Sequence, residues 1–310
     1  KTIIKNNHCY NYSEYFYEIK KNCKGKLRFK KTFPVVDIYT DEIGLRIGKS
    51  IVKKDEKKEN IFIFGDSFTY GVGLEYEKTF AGIIEKQLNQ YNHFNFGVGS
   101  YSPSVYVYKL NEIIKSGIIP NKIIVFLDLS DVMDESSRWQ FNENTKVAKL
   151  QTNDLYFMVK EKKGEHEHDH SESNFKIIEN IFSLINYNLR ILRTKTKNAS
   201  SINKKVKKSI QASFTYTDQG ELNSTFWKNN TFNEGIKNLE KRFSDLKQIS
   251  NKYNFDIHLV IYPWAETIEF GQEKFNWSEF SKKLCDHDRC HLIDAISEFS
   301  QYKSKNKNWI

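Results

Sequence analysis

The sequence predicts an α/β fold: a central parallel sheet flanked by helices on both faces, with a helical or irregular insertion. Three observations predict it. Short apolar runs at 60–64, 94–98, 122–129 and 257–262 alternate with segments whose apolar residues recur at helical spacing. The run Ile123-Ile124-Val125-Phe126-Leu127 is nearly continuous in branched and aromatic side chains, as a parallel strand covered on both faces is. The rhythm breaks between about 132 and 233 and then resumes.

Element by element, the first thirty or so residues are polar and aromatic with no clear period. The stretch 35–46 then reads as a strand, a turn and a second short strand. Residues 1–50 are therefore an expected N-terminal extension with a short β-hairpin, and 51–310 an α/β domain. Asn60-Ile61-Phe62-Ile63-Phe64 reads as a buried strand, and 77–91 as a helix with Phe80, Ile83, Ile84 and Leu88 on its buried face. The next strand is expected at 94–98. Ser102 caps a helix with Pro103 at its first position, Val107, Leu110 and Ile114 form its buried stripe, and Gly117 ends it. A strand follows at 122–129.

Residues 132–233 are expected to form an insertion or cap. It contains a polar loop, 164–170, with alternating His166, His168 and His170, and a long apolar helix at 175–192. Ile236, Leu239, Phe243, Leu246, Ile249 and Tyr253 then share one helix face. A strand at 257–262, a helix at 277–284 and a last short strand at 291–293 complete the series.

The chain has 310 residues, 39% hydrophobic and 15% aromatic, which suits one large α/β domain with decoration or two small ones. Its net charge of +9 is moderate and dispersed. The densest basic run, 195–208, has no aromatic residue on which a base could stack, so it reads as a solvated face and nucleic acid is not an expected partner. The three alternating histidines sit in a low-complexity loop and read as solvated, so no metal or cofactor is expected. No stretch reaches the eighteen or so apolar residues of a membrane span. The chain begins at Lys1 without a methionine, which leaves room for a removed signal peptide or an anchor near a membrane. Cys9 and Cys23 share one segment, and Cys285 and Cys290 flank a short polar loop. Two local pairs fit two disulfides and an oxidising, extracytoplasmic compartment; four unrelated thiols are the alternative.

The chemistry concentrates at Gly65-Asp66-Ser67-Phe68-Thr69-Tyr70-Gly71, between the strand at 60–64 and the helix after it. A tight turn there can hold a serine hydroxyl at the carboxyl end of the sheet, with backbone N–H groups aimed at a developing oxyanion. The bland reading is an ordinary loop.

This block resembles that of the SGNH (GDSL-type) hydrolases and acyltransferases, especially members encoded beside bacterial surface-glycan genes. Asn95-Phe96-Gly97-Val98-Gly99-Ser100-Tyr101-Ser102-Pro103 resembles the family's second block. The segment ending Asp128-Leu129-Ser130-Asp131 resembles the third, and Leu259-Val260-Ile261-Tyr262-Pro263-Trp264 a later core strand with its exit loop. The resemblance covers roughly residues 35 to 310 and implies a flavodoxin-like SGNH fold with Ser67 as nucleophile. It implies oxyanion donors at Ser67, Ser100 and Ser130, where Ser100 stands in the register of a glycine and Ser130 in that of an asparagine.

The base is less determined. Of eight histidines, His8 precedes the fold, His93 and His258 sit early in strands, and three lie in the polar loop. That leaves His287 and His291. Asp288-Arg289-Cys290-His291 has the family's Asp-x-x-His spacing, yet 292–299 reads as strand and helix that precede that block. The lysine-rich 303–310 resembles the approach to it, which implies a catalytic Asp and His beyond Ile310. A protein without a triad is the third possibility. The resemblance implies a serine esterase or O-acyltransferase acting on an ester, an O-acetyl group of a bacterial glycan or another acylated small molecule. A carbohydrate-binding or assembly protein that keeps the fold without turnover is the alternative.

Overall fold

The structure, a computed structural model, describes residues 9–13, 16–28, 34–50, 54–151, 232–264, 268 and 275–305. Strands β1 (Tyr10–Tyr12), β2 (Tyr17–Ile19), β3 (Lys24–Leu27), β4 (Val36–Thr40) and β5 (Arg46–Ile47) form two small antiparallel sheets, β1-β2 and β3-β4-β5. The expected strand-turn-strand at 35–46 is thus present as β4 and β5. The three preceding strands were not legible as a periodic pattern, because each has only three or four residues. Tyr17 of β2 is buried in the same core as the main sheet, and Tyr10 and Tyr12 of β1 pack partly buried against it.

That main sheet contains β6 (Asn60–Phe64), β7 (Asn92–Asn95), β8 (Lys122–Leu127), β11 (Asp256–Ile261) and β12 (Cys290–Asp294), all parallel, in the order β12-β11-β8-β6-β7. The alternation of each strand divides its side chains between two cores. Phe62 and Phe64 of β6, Ile123, Val125 and Leu127 of β8, and Ile257, Leu259 and Ile261 of β11 face the larger one. Ile61, Ile63 and Phe126 face the smaller one on the opposite side, where Val260 also packs. Helix α2 (Phe80–Gln87) covers the smaller face, while α3 (Pro103–Lys115) and α5 (Phe232–Tyr253) pack on the larger. The remaining α-helices among the described residues are α1 (Ser67–Tyr70), α4 (Leu129–Met133), α6 (Trp277–Leu284) and α7 (Ala295–Lys305). A hairpin, β9 (Trp139–Asn142) with β10 (Val147–Leu150), leads into residues 152–231, so the expected helix at 175–192 and the histidine loop lie outside the described residues.

In sheet order the first strand lies between the second and third, the flavodoxin-like arrangement. The chain reverses direction across the sheet between β6 and β8, and that switch point opens a crevice at the carboxyl ends of the two strands.

Several expected boundaries move. The strand expected at 94–98 lies at Asn92–Asn95, because β6 sets its register from Asn60↔Asn92 to Ile63↔Asn95. The polar start of β7 is tolerated since Asn92 Nδ2 donates to Asp55 O at 2.7 Å and Asn60 Oδ1 at 3.0 Å. The helix expected at 77–91 divides at Thr79, whose hydroxyl accepts from Gly82 N at 3.0 Å and starts α2. Phe80, Ile84 and Leu88 pack on the sheet as expected, but Ile83 is 49% exposed because it falls beside their i, i+4, i+8 stripe. The strand expected to reach 129 stops at Leu127, where Asp128 and Asp131 form a capping box and turn the chain into α4. Both expected disulfides are present, Cys9–Cys23 and Cys285–Cys290, with Cα separations of 5.7 and 5.2 Å. No described helix is long and apolar enough to cross a membrane.

Candidate active site

Ser67 is the first residue of α1, three positions past the end of β6, and is half-buried. Asp66 caps the helix: its Oδ1 accepts from Phe68 N at 2.9 Å. The Ser67 hydroxyl donates to Asp66 Oδ2 at 3.3 Å. Glycines allow this packing. A Cβ on Gly97 would lie 2.6 Å from Thr69 Cγ2 and 2.7 Å from Tyr70 N, so the 97–101 loop can lie directly against α1 only without a side chain there. A Cβ on Gly99 would lie 3.8 Å from Ser67 Cβ, which puts this loop beside the serine.

Ser100 has φ 57°, the left-handed backbone that glycine adopts most readily. The serine therefore keeps a glycine-like conformation at that position. Neither Ser67 N–H nor Ser100 N–H has an acceptor among the described residues. Ser130 is different. It lies in the first turn of α4, with its Oγ donating to Asp128 Oδ1 at 2.6 Å and 3.4 Å from Asp66 Oδ2. Its single proton is thus directed at a carboxylate, and the side-chain oxyanion donor expected there is not what this geometry presents.

The floor of the site is acidic and buried. Asp66, Asp128, Asp131 and Asp134 are each no more than 4% exposed. Asp66 Oδ1 also accepts from Tyr262 OH at 3.2 Å, and Asp128 Oδ2 accepts from Trp264 Nε1–H at 2.9 Å. Burial first, then the Asp128 charge, pushes Asp66 up to about 7. The same two causes hold Asp131 well above the usual carboxylate range, where Tyr106 OH donates to its Oδ1 at 3.1 Å.

The Asp288/His291 alternative is corrected by the sheet. His291 pairs in register with His258, which pairs with Ile124, which pairs with Ile63 of β6. At about 4.8 Å per strand this row puts His291 about 14 Å from β6. Asp288 lies in the turn before β12, at the amino ends of the strands, whereas Ser67 follows a carboxyl end. In a parallel sheet these are opposite edges. The ring of His291 lies instead beside that of His258, with centroids 5.0 Å apart and the planes tilted by 31°. His93 Nε2–H donates to Leu88 O at 2.8 Å, and no described histidine bonds to Ser67 Oγ. Among the described residues no group of three His, Cys, Asp or Glu side chains is placed to hold a metal ion.

Sequence reasoning did not single out the side chains that hold these loops. Arg46, 1% exposed, donates to the carbonyls of Tyr70, Gly71 and Leu74 where α1 ends, with Gly71 O at 2.8 Å. Tyr17 OH donates to Gly99 O at 2.6 Å, and Trp139 Nε1–H to Ser100 O at 2.7 Å. Each comes from a segment far away in sequence, so no local spacing could reveal it. Only Tyr262 and Trp264 carried a signal, as polar-tipped aromatics just past a core strand.

No family model matches the chain, and no curated protein matches it. Among solved structures it is similar to an acetyl xylan esterase (Est2A) from the rumen bacterium Butyrivibrio proteoclasticus. That likeness has 11% sequence identity and a TM-score of 0.31, and covers 84% of this chain and 67% of that one. At that score it carries no argument about chemistry.

Proposed function

We propose that this chain is an SGNH-type serine ester hydrolase or O-acyltransferase acting on an O-acetyl group of a bacterial glycan. The observation that carries the reading is Ser67 on a strand-to-helix turn at the sheet's switch point, with its own N–H and that of Ser100 without an acceptor among the described residues. Ser67 Oγ attacks the acyl carbon, and the two N–H groups hold the resulting oxyanion; such a donor is worth about 3 kcal/mol of transition-state stabilisation. The alcohol leaves, and the acyl group passes to water or to a sugar hydroxyl. The glycan class comes from the sequence resemblance. Two disulfides support an extracytoplasmic location.

A second reading, a carbohydrate-binding or assembly protein without turnover, is favoured by the Ser130 proton being directed at Asp128. A fluorophosphonate probe separates the two. Stoichiometric labelling of Ser67, with labelling and activated-ester hydrolysis reduced to about a hundredth or less in Ser67→Ala, is the expected result for the enzyme. Turnover in Ser67→Ala at half the parent rate would sink the nucleophile assignment.

A further inference from the structure

We infer that two cavities beside the β9–β10 hairpin bind uncharged sugar residues next to the acetylated one, so that the substrate is a glycan chain rather than a single sugar; this rests on the glycan-ester reading of the Ser67 site. The first cavity, about 640 Å³, lies between the hairpin and α5, with Gln140, Gln151, Asn238 and Lys241 on its walls. The second, about 400 Å³, is bordered by Asn11, Ser13, Phe16 and Tyr108. Both volumes fall in the range of about 300–1,000 Å³ found for small-molecule sites. The two meet on β10: residues 147–149 border the second and 149–151 the first, and the exposed Lys149 is common to both. At about 3.4 Å per residue, their centres on this strand stand about 7 Å apart. One chain of linked rings can therefore occupy both.

The charges of the first cavity are answered from within the protein. Glu135, 1% exposed, accepts from Ser102 Oγ at 2.6 Å, Ser104 N at 2.7 Å and Ser104 Oγ at 2.7 Å. Arg242, 3% exposed, pairs with Glu143 and with Asp245 at 3.0 Å, and lies 3.8 Å over the Phe141 ring. Along the lining, Glu135, Glu143 and Glu234 balance Lys149, Lys241 and Arg242. A ligand of net charge would lose hydration there without a matching gain. What the walls still present are amides. Asn238 Nδ2 donates to Glu135 O at 2.9 Å, while its Oδ1 has no donor among the described residues. An amide side chain both donates and accepts, as a sugar hydroxyl does. In the second cavity Phe16 and Tyr108, edge to face at 5.4 Å, offer ring surface to the apolar side of a sugar.

Trp139 joins this groove to the serine. It borders the first cavity, and its Nε1–H donates to Ser100 O at 2.7 Å. That carbonyl belongs to the loop in which a Gly99 Cβ would lie 3.8 Å from Ser67 Cβ. Sugar residues in the cavity are thus held against the side chain that fixes the serine's loop. Their binding energy, gained away from the ester, is available to orient the acetyl group.

The test is equilibrium binding of the full chain to an array of oligosaccharides one to six units long. Neutral chains are built from hexoses, pentoses and N-acetylhexosamines, with uronic-acid and glucosamine chains as charged controls. The parent is compared with Ser67→Ala, the double variant Gln140→Ala/Lys241→Ala, and Asn11→Ala. Gln140, Lys241 and Asn11 are exposed, so the last two variants should melt as the parent does. Neutral chains of four units should bind at least tenfold more tightly than single sugars or charged chains, in the parent and in Ser67→Ala alike. The double variant should weaken that binding at least tenfold, and Asn11→Ala about threefold. The inference is overturned if no neutral oligosaccharide binds, if single sugars bind as tightly as tetramers, or if a charged chain is preferred. Tetramer affinity within twofold of the parent in either variant overturns it as well. Glycan binding without fluorophosphonate labelling of the parent overturns the esterase reading and leaves the groove standing, whereas labelling of Ser67 without glycan binding overturns only this inference.

Discussion

At the scale of single residues, Ser67, the proposed nucleophile, sits beside a buried carboxylate, Asp66, that is costly to ionise. A raised carboxylate pKa means that the folded protein binds the proton more tightly than the unfolded chain. Its contribution to stability is therefore full below the unfolded value near 4 and is lost as pH rises through the folded value of about 7. For Asp66 this amounts to on the order of 4 kcal/mol. Asp131 and Glu135, both raised by burial first, act in the same direction. Asp66→Asn should be more stable than the parent at pH 8, and the gap should narrow or vanish at pH 5. Urea denaturation at the two pH values reads this directly. A variant less stable than the parent at pH 8 would mean that the buried carboxylate is not held in an unfavourable charged state there. The expected gain in stability of Asp66→Asn at pH 8 would make this turn an instance of a native residue kept at the expense of stability.

At the scale of elements, the geometry around Ser67 depends on how closely two loops approach. The turn into α1 and the loop after β7 touch at Gly97, where a Cβ would meet Tyr70 N at 2.7 Å. Backbone cannot rotate away as a flexible side chain can, so Gly97→Ala must displace α1 or the loop. The expected cost is about 1–3 kcal/mol from overpacking. Because Gly99 and Ser100 belong to the same loop, fluorophosphonate labelling of Ser67 should also slow at least tenfold. Chemical denaturation and labelling together check this. An unaffected labelling rate would show that the proposed oxyanion donors are not fixed through this contact. Helix α4 makes the complementary point: its Asp128–Asp131 capping box ends β8 two residues earlier than its apolar run suggests and brings Ser130 to the crevice.

At the scale of the whole molecule, the N-terminal strands brace the site through Tyr17 and Arg46 and are themselves tied by Cys9–Cys23. That bond joins residues 14 apart, and closing a loop of this size contributes about 3 kcal/mol in the chain-entropy model. The five-residue separation of Cys285–Cys290 corresponds to about 2 kcal/mol. Replacing Cys9 and Cys23 by serine should therefore lower stability more than replacing Cys285 and Cys290, as measured by denaturation under non-reducing conditions. It should also loosen the 97–101 loop, seen as faster amide exchange at Gly99 and Ser100. Equal losses from the two pairs would contradict the loop-length argument.

The sequence by itself determined the parallel α/β sheet, the position of Ser67 after its first long strand, and both disulfide pairings. These are local signals: an apolar run, a helical stripe, a small turn or two nearby cysteines is encoded within about twenty residues. It also placed α5 and α6 well, because their apolar faces repeat over many turns or end at strong caps. Only the tertiary structure decided what surrounds the serine. Asp66, Ser130, Asp128 and Tyr262 come from three different strand ends, and Tyr17, Arg46 and Trp139 from segments outside the sheet. The matching Asp-x-x-His spacing at Asp288 and His291 was a local pattern with no such meeting point, because a parallel sheet puts the start of β12 on the edge opposite Ser67. Spacing along the chain specifies elements; which side chains meet depends on strand order and direction, which form only when the sheet assembles.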